Sequence, residues 1–314
     1  MSPLPPGFAF SRPAGASADF MTHRRAVWLM VLVTLLWSMT GVVTRHLDAA
    51  SSFEVTFWRS AFNALALGVA LTVLRGPALW FGLMHSPAVV WFSGVCWAVM
   101  YTAFMLALTL TSVANVLVSM AIGPMVTALF SWAFLRRRLP LRSWLAIGAA
   151  SLGIAWMFGG EMREGGSLLG SLVACAVPLA GAANLTILQK VGERQAEIRP
   201  DMLSGVLLGA LISVLATLPL AWPLQASSHD VGLLAMLGVV QLAVPCLSMV
   251  RLTRELPAPE IALLALLEVI FGVAWAWLWA GEQPSASVLL GGGLVLIALA
   301  ANEMAAWRES ALGR

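Results

Sequence analysis

From Ile261 to Ala280 the chain runs for about twenty residues with hardly a polar side chain, enough as a helix to cross about 30 Å of hydrocarbon. Glu268 stands in the middle of the run, and Gly281-Glu282-Gln283-Pro284 closes it with a turn signal. Nine more apolar runs fill the rest: Ala26–Val43, Phe53–Leu74, Ala88–Leu108, Val113–Leu135, Trp144–Phe158, Leu168–Leu188, Leu203–Trp222, Val231–Val250 and Val288–Trp307. Lipid admits helices and closed barrels, and these runs lack the alternation of barrel strands. Composition agrees: 60% of residues are hydrophobic and 11% charged, too few charges to dress a soluble surface. The expected fold is an all-α integral membrane protein of ten transmembrane helices.

The runs repeat. Laying Trp132 on Trp277, an offset of 145 residues, also lays Ala98 on Ala243, Leu145 on Leu290, Gly148 on Gly293 and Ala155 on Ala300, and Arg45 on Lys190. One ungapped offset serving five runs indicates two copies of a five-helix unit, residues 26–163 and 164–307, between tails at 1–25 and 308–314. The Pro-, Ser- and Gly-rich first tail reads as disordered. Five crossings are an odd number, so the second copy enters from the opposite face and the repeats are inverted, an architecture of secondary transporters with a site near the midplane. With the N-terminus in the cytoplasm, fifteen of the 18 Lys and Arg residues fall on the inner side. Arg45 and Arg163 fall outside, and Arg59 lies within a helix. The positive-inside rule therefore puts both termini in the cytoplasm of a cell inner-membrane protein. Arg136-Arg137-Arg138 of the first copy corresponds to Gly281-Glu282-Gln283 of the second, opposite loop signals as inversion requires.

Several function classes lose support. The net charge of +3 is dispersed between apolar runs rather than gathered in a stripe, so no nucleic-acid partner is expected. Cys96, Cys175 and Cys246 lie inside apolar runs without ligand spacing, and no metal site or cofactor is expected. His23, His46, His85 and His229 sit in tails or loops, away from a buried nucleophile, and no phosphate-binding loop is present, so an enzyme is not expected. The expected partners are the lipid bilayer and a small-molecule substrate. Gly205/Gly209 and Gly291-Gly292-Gly293 suit close helix packing, within the chain or in a homo-oligomer.

A carboxylate in mid-span is costly in hydrocarbon, so Glu268 reads as a proton or substrate-cation site, or as a structural ion pair. Arg59 can bind a substrate carboxylate, pair with Glu54 or Glu268, or reach outward to the interface. Glu260 reads as a first-turn acid favoured by the helix dipole. Asn63, Asn115, Asn184 and Gln241 can bond a neighbouring helix or line a cavity. Trp275, Trp277 and Trp279 suit an interfacial belt, while Trp91 and Trp97 lie deeper and are the better cavity candidates. Pro124, Pro178 and Pro245 are expected to kink their helices.

The five-helix repeat, the segment Leu263 to Glu282 (LLALLEVIFGVAWAWLWAGE), Tyr101-Thr102-Ala103 and Arg59 resemble the EamA branch of the drug/metabolite transporter superfamily, over nearly all of Ala26 to Trp307. The resemblance implies a carrier with a central cavity between its halves, lined partly by the third, fourth, eighth and ninth helices. That brings Tyr101, Asn115 and Gln241 beside Glu268, Arg59 and Trp97 as candidate substrate- or proton-binding residues. Val269, where the family often has Pro, and Arg137, where it often has an acid, depart from the pattern. The expected function is secondary transport, in the export direction, of amino acids, similar metabolites or drugs, driven by a proton gradient or not. A non-transporting membrane scaffold or sensor is the alternative.

Overall fold

In the computed structural model, residues 21–44, 46–48, 52–111, 113–159, 168–193, 200–280 and 285–311 are described. The first tail up to residue 20, Arg45, Arg163, Arg194, Arg199, the turn at 281–284 and residues 312–314 lie outside them. The described chain is helical. Eight of its helices are long and apolar enough to cross a membrane, and the shorter apolar helices Gly123–Leu135 and Leu141–Met157 lie between them in sequence.

In chain order the helices are α1 (His23–Trp37), α2 (Thr40–Thr44), α3 (Ser52–Arg75), α4 (Ala78–Met84), α5 (Ala88–Leu110), α6 (Val113–Met120), α7 (Gly123–Leu135), α8 (Leu141–Phe158), α9 (Leu168–Gly192), α10 (Leu203–Ala221), α11 (Ser228–Met236), α12 (Val244–Leu252), α13 (Ala258–Ala265), α14 (Leu267–Ala280) and α15 (Ala286–Ala311). A π segment, Leu237–Ala243, joins α11 to α12. Pro87, Pro140 and Pro257 occupy N-cap positions, where the missing N–H costs nothing. Ser227 and Asp230 form a capping box at the start of α11.

Several expected single spans are broken. The fourth run parts at Ala121–Ile122, just before Pro124. The ninth parts at Leu266, where short i to i+3 bonds (Leu266 N to Leu263 O, 3.2 Å; Val269 N to Leu266 O, 3.1 Å) replace a regular helical turn. Glu268 is therefore a first-turn residue of α14, not the midpoint of a continuous helix. Pro245 follows the π segment, whereas Pro178 lies inside the uninterrupted α9. The first run also pauses at Ser38–Met39, and it begins at His23, which belongs to a helix rather than a tail. The short α4 was not apparent in the sequence; its Phe81 and Met84 are exposed, suiting an interfacial position.

Helix boundaries follow the 145-residue offset. It carries the start of α1, His23, to the start of α9, Leu168, and the start of α8, Leu141, to the start of α15, Ala286. It carries both ends of α6, Val113 and Met120, to both ends of α13, Ala258 and Ala265, and the end of α7, Leu135, to the end of α14, Ala280. The two breaks thus occupy the same place in each copy.

The helices of the copies interleave: α5 packs on α9 and α10, α3 on α10, α7 on α9, and α8 on α15. Of the glycines anticipated for packing, Gly205, Gly209 and Gly291 serve close contacts within the chain, while Gly293 has nothing within 4 Å of its Cβ position. A Cβ on Gly209 would collide with Trp97 and approach Gly94 O at 2.9 Å, and one on Gly153 would lie 2.8 Å from Gly291 O. Large side chains left exposed, such as Val73, Leu152, Leu215 and Leu278, form the lipid-facing coat of such a bundle.

Candidate functional site

Both helix breaks contribute to the wall of one cavity of about 210 Å³. Gly123 and Pro124 reach it from the start of α7, Glu268 and Val269 from the start of α14. The starts of two half-helices, α7 and α14, therefore border one space. Most of the remaining wall is apolar, with Leu117, Met120, Val177 and Ile261 among its members.

Of the residues singled out in the sequence, Glu268, Arg59, Tyr101, Gln241 and Trp97 all line this cavity. Glu268 is half-buried and has no hydrogen-bond partner among the described residues; its exposed part looks into the cavity. Arg59 is buried, with 3% of its surface exposed. Its Nη2 donates to Tyr101 O at 3.4 Å, while Nε has no partner. It makes no ion pair with Glu54, which instead accepts from Gln225 N (2.8 Å), Ala226 N (2.7 Å) and Trp58 Nε1 (3.3 Å). The two side chains are five residues apart, off the helical register that brings charges together.

Tyr101 Oη donates to Cys246 Sγ at 3.2 Å, and its ring stacks on Trp97 with centroids 5.7 Å apart. Gln241 lies in the π segment, whose extra residue rotates the side chain toward α1. Its Nε2 donates to Trp37 O at 3.2 Å, a carbonyl freed by the pause in the first span, and its Oε1 is buried without a partner. Trp97 Nε1 is also buried and unpaired. The wall thus presents a carboxylate, unused donors on Arg59 and Trp97, and an unused acceptor on Gln241, able together to hold a small molecule with both charges.

Asn115 is a residue of α6, but its side chain lies outside the described residues. Trp91 does not join the cavity: it is 38% exposed on α5. Trp277 and Trp279 are exposed, whereas Trp275 turns inward and donates to Ser38 Oγ at 2.8 Å. Asn184 both lines the cavity and accepts from Ser93 Oγ at 2.6 Å, tying α9 to α5. Cys246, noted in the sequence only for its apolar run and lack of ligand spacing, is a wall residue. The signal that could have found it was the offset, which carries Tyr101 to position 246. The same offset pairs Trp37 with Ala182, Thr40 with Leu185, Phe104 with Met249 and Gly123 with Glu268, all in the wall. The cavity is thus lined by equivalent positions of both copies, and Tyr101 touches its own counterpart.

The family model for EamA-like transporters matches twice, over residues 24–159 and 168–302. The chain belongs to the EamA-like transporter family. It is a multi-pass membrane transporter of small molecules. Among curated relatives, the pseudopaline exporter CntI of Pseudomonas aeruginosa is 27% identical over 292 residues, covering 88% of this chain and 94% of that one, in each of two strains. An uncharacterized transporter of the same organism is 25% identical over 142 residues, covering 43% of this chain and 48% of that one. A solved crystal structure superposes with a TM-score of 0.74 at 18% identity, covering 91% of this chain and 98% of that chain, a likeness of fold.

Proposed function

We propose that this EamA-family chain is a ten-helix secondary carrier of two inverted repeats, residues 26–163 and 164–307, exporting small zwitterionic metabolites such as amino acids by alternating access. In this reading the ten helices are the eight long spans, the broken pair α6 and α7, and α8. The protein sits in the cell inner membrane with both termini cytoplasmic. One observation carries the proposal: two helix breaks at equivalent positions of two copies meet at a single cavity, and that cavity holds an isolated carboxylate and an under-bonded guanidinium. Broken helices whose N-termini border a midplane site are the recurring device of such carriers. A cargo carboxylate satisfies Arg59 in a bidentate fashion, and a cargo amine meets Glu268. The cavity, about 210 Å³, lies below the range of about 300–1,000 Å³ typical for drug-sized ligands, which favours small metabolites. Export is supported by the name of the full-length relative, a pseudopaline exporter.

Glu268 also supplies the coupling. Alternately facing each compartment, its carboxyl gains or loses a proton according to the side it meets, and no nucleotide is needed. The test uses purified protein in proteoliposomes, screened with labelled amino acids with and without a pH gradient. Glu268→Gln keeps size and hydrogen bonding but abolishes titration. It is expected to retain cargo-for-cargo exchange at a reduced rate, through the acceptor oxygen that the amide keeps for the cargo amine, and to lose its dependence on the gradient. Gradient-driven uptake retained by the variant refutes the coupling role.

A further inference from the structure

Among the described residues three ion-paired junctions lie at one end of the bundle, the end where α1 begins, while at the other end the exposed His229 of α11 lies 3.4 Å from Asp48 Oδ2. His23 Nε2 lies 2.7 Å from Glu260 Oε1, joining the first turn of α1 to the first turn of α13. Glu303 near the end of α15 completes a group in which one ligand-type atom from each of the three residues lies within 4.8 Å of the others. Arg142 of α8 is close enough to act on His23. Two carboxyl groups thus face a histidine and an arginine at this end. Ser143 Oγ donates to Asn302 Oδ1 at 3.2 Å and Arg24 lies 5.8 Å above the Trp307 ring, closing the same end further. A second junction joins the ends of α7 and α9, where Arg137 Nη2 meets Glu193 Oε1 at 2.6 Å. Arg136 before it turns the chain in the left-handed region at φ 54°, ending α7 and directing Arg137 toward α9. A third pair, Arg75 with Asp201, ties the end of α3 to the approach to α10.

The 145-residue offset gives each junction a counterpart at the opposite end. His23 and Glu260 correspond to Leu168 and Asn115, an apolar and a neutral residue. Arg137 and Glu193 correspond to Glu282 and Asp48, two acids. The helices that meet in both junctions, α1 with α13 and α7 with α9, also wall the cavity. By sequence, then, neither junction has an opposite-charge counterpart at the other end, where Asp48 has the exposed His229 as its partner. The ties on the far side, Glu54 to residues 225 and 226 and Asp48 N to Asp230 Oδ1 at 2.8 Å, fasten other elements, α3 and the loop after α2, to the start of α11.

We propose that the His23–Glu260–Glu303–Arg142 group and the Arg137–Glu193 pair form an ionic latch that holds the α1-start end closed, biasing the resting carrier toward exposing its cavity at the other end. The inference rests on the alternating-access reading above, and the latched end is the cytoplasmic one in that reading. The half-buried four-residue group carries most of the bias, because Arg137 and Glu193 are each 49% exposed and exposed pairs contribute about 0.2–1 kcal/mol.

The test reads closure directly, without knowing the cargo. In a chain with Cys96, Cys175 and Cys246 replaced by Ser, Met120→Cys places the remaining thiol at a half-buried position of the cavity wall. Its modification by a charged, impermeant methanethiosulfonate is followed from each side of oriented vesicles. Slow labelling from the cytoplasmic side is expected in the parent, and faster labelling from the outer side. Glu260→Gln should raise the cytoplasmic rate about tenfold, equivalent to about 1.4 kcal/mol of lost bias. Arg137→Glu should raise it about threefold, consistent with an exposed pair, and the exchange Arg137→Glu with Glu193→Arg should return it to the parent rate. Labelling of the parent from neither side refutes alternating access and the latch with it. Labelling from outside, with cytoplasmic protection unchanged in both single variants, leaves alternating access standing and overturns the latch. Failure of the charge exchange to restore protection overturns the Arg137–Glu193 part of it.

Discussion

Glu54 offers the sharpest stability prediction. It is fully buried in the first turn of α3, and one oxygen receives two backbone N–H groups, Gln225 at 2.8 Å and Ala226 at 2.7 Å, as well as Trp58 Nε1. These bonds hold the connection between α10 and α11, whose amides have left one helix and not yet joined the next. Glu54→Ala strands both donors. Hydrogen bonds to a charged group contribute about 1.5–3 kcal/mol each, so the loss is about 3–6 kcal/mol. At about 2 °C per kcal/mol for a chain of this size, the apparent Tm in detergent falls by about 6 °C or more. Glu54→Gln keeps an acceptor oxygen and should lose less than half as much. The assay is thermal unfolding followed by intrinsic tryptophan fluorescence and by aggregation in parallel. An alanine variant that melts within about 1 °C of the parent refutes the reasoning, because stranded buried donors cannot be that cheap.

Gly209→Val should destabilise by about 3 kcal/mol through overpacking, since any Cβ there collides with Trp97 and crowds Ala98 N at 3.2 Å; thermal unfolding checks this against Gly293→Ala, where nothing lies within 4 Å. A double-mutant cycle of Ser93→Ala and Asn184→Ala should return a coupling of about 1 kcal/mol, in line with hydrogen bonds between membrane helices; a coupling of zero removes the bond between α5 and α9 as a stabilising contact.

Helix content and the repeat were legible because both are written in hydropathy and spacing, which depend little on packing. The breaks were less so. Apolar windows look alike whether the backbone inside them is regular or not, and the break at Leu266 has no Pro or Gly beside it. The first copy supplies the missing clue: Gly123-Pro124 makes its break chemically plain, and the offset carries that place to Glu268-Val269. Five of the six candidate site residues line the cavity, because isolated polar groups in long apolar runs have few other places to go. Trp91 was misjudged because position along a span does not report the face it occupies. The ion pairs at the α1-start end were not legible, since His23–Glu260 and Arg137–Glu193 join residues distant in sequence through loops that carry no pattern.

Chemistry in this cavity sits where the repeat departs from itself. Glu268 corresponds to Gly123, and Arg59 corresponds to Ser204, which is occupied with Asp201 through a 2.8 Å bond. Symmetry therefore supplies two equivalent places for the carboxylate but a cation beside only one. Moving the acid tests whether that distinction matters. A Cβ at Gly123 meets only Pro178 Cβ, at an ordinary 3.6 Å, so Gly123→Glu has room to begin a side chain without displacing α9. Combined with Glu268→Gly, it places a carboxylate in the wall of the same cavity at the equivalent position of the other copy. The double variant should fold, judged by a parent-like elution profile in detergent. Its exchange rate in proteoliposomes should stay below about a tenth of the parent, the loss expected when about 1.4 kcal/mol of binding to a zwitterion is withdrawn. The guanidinium would no longer share the cargo with Glu268. Recovery of parental exchange by the transplanted carboxylate would show that any acid in the cavity suffices, and the pairing of Arg59 with Glu268 around a zwitterionic cargo would then be wrong.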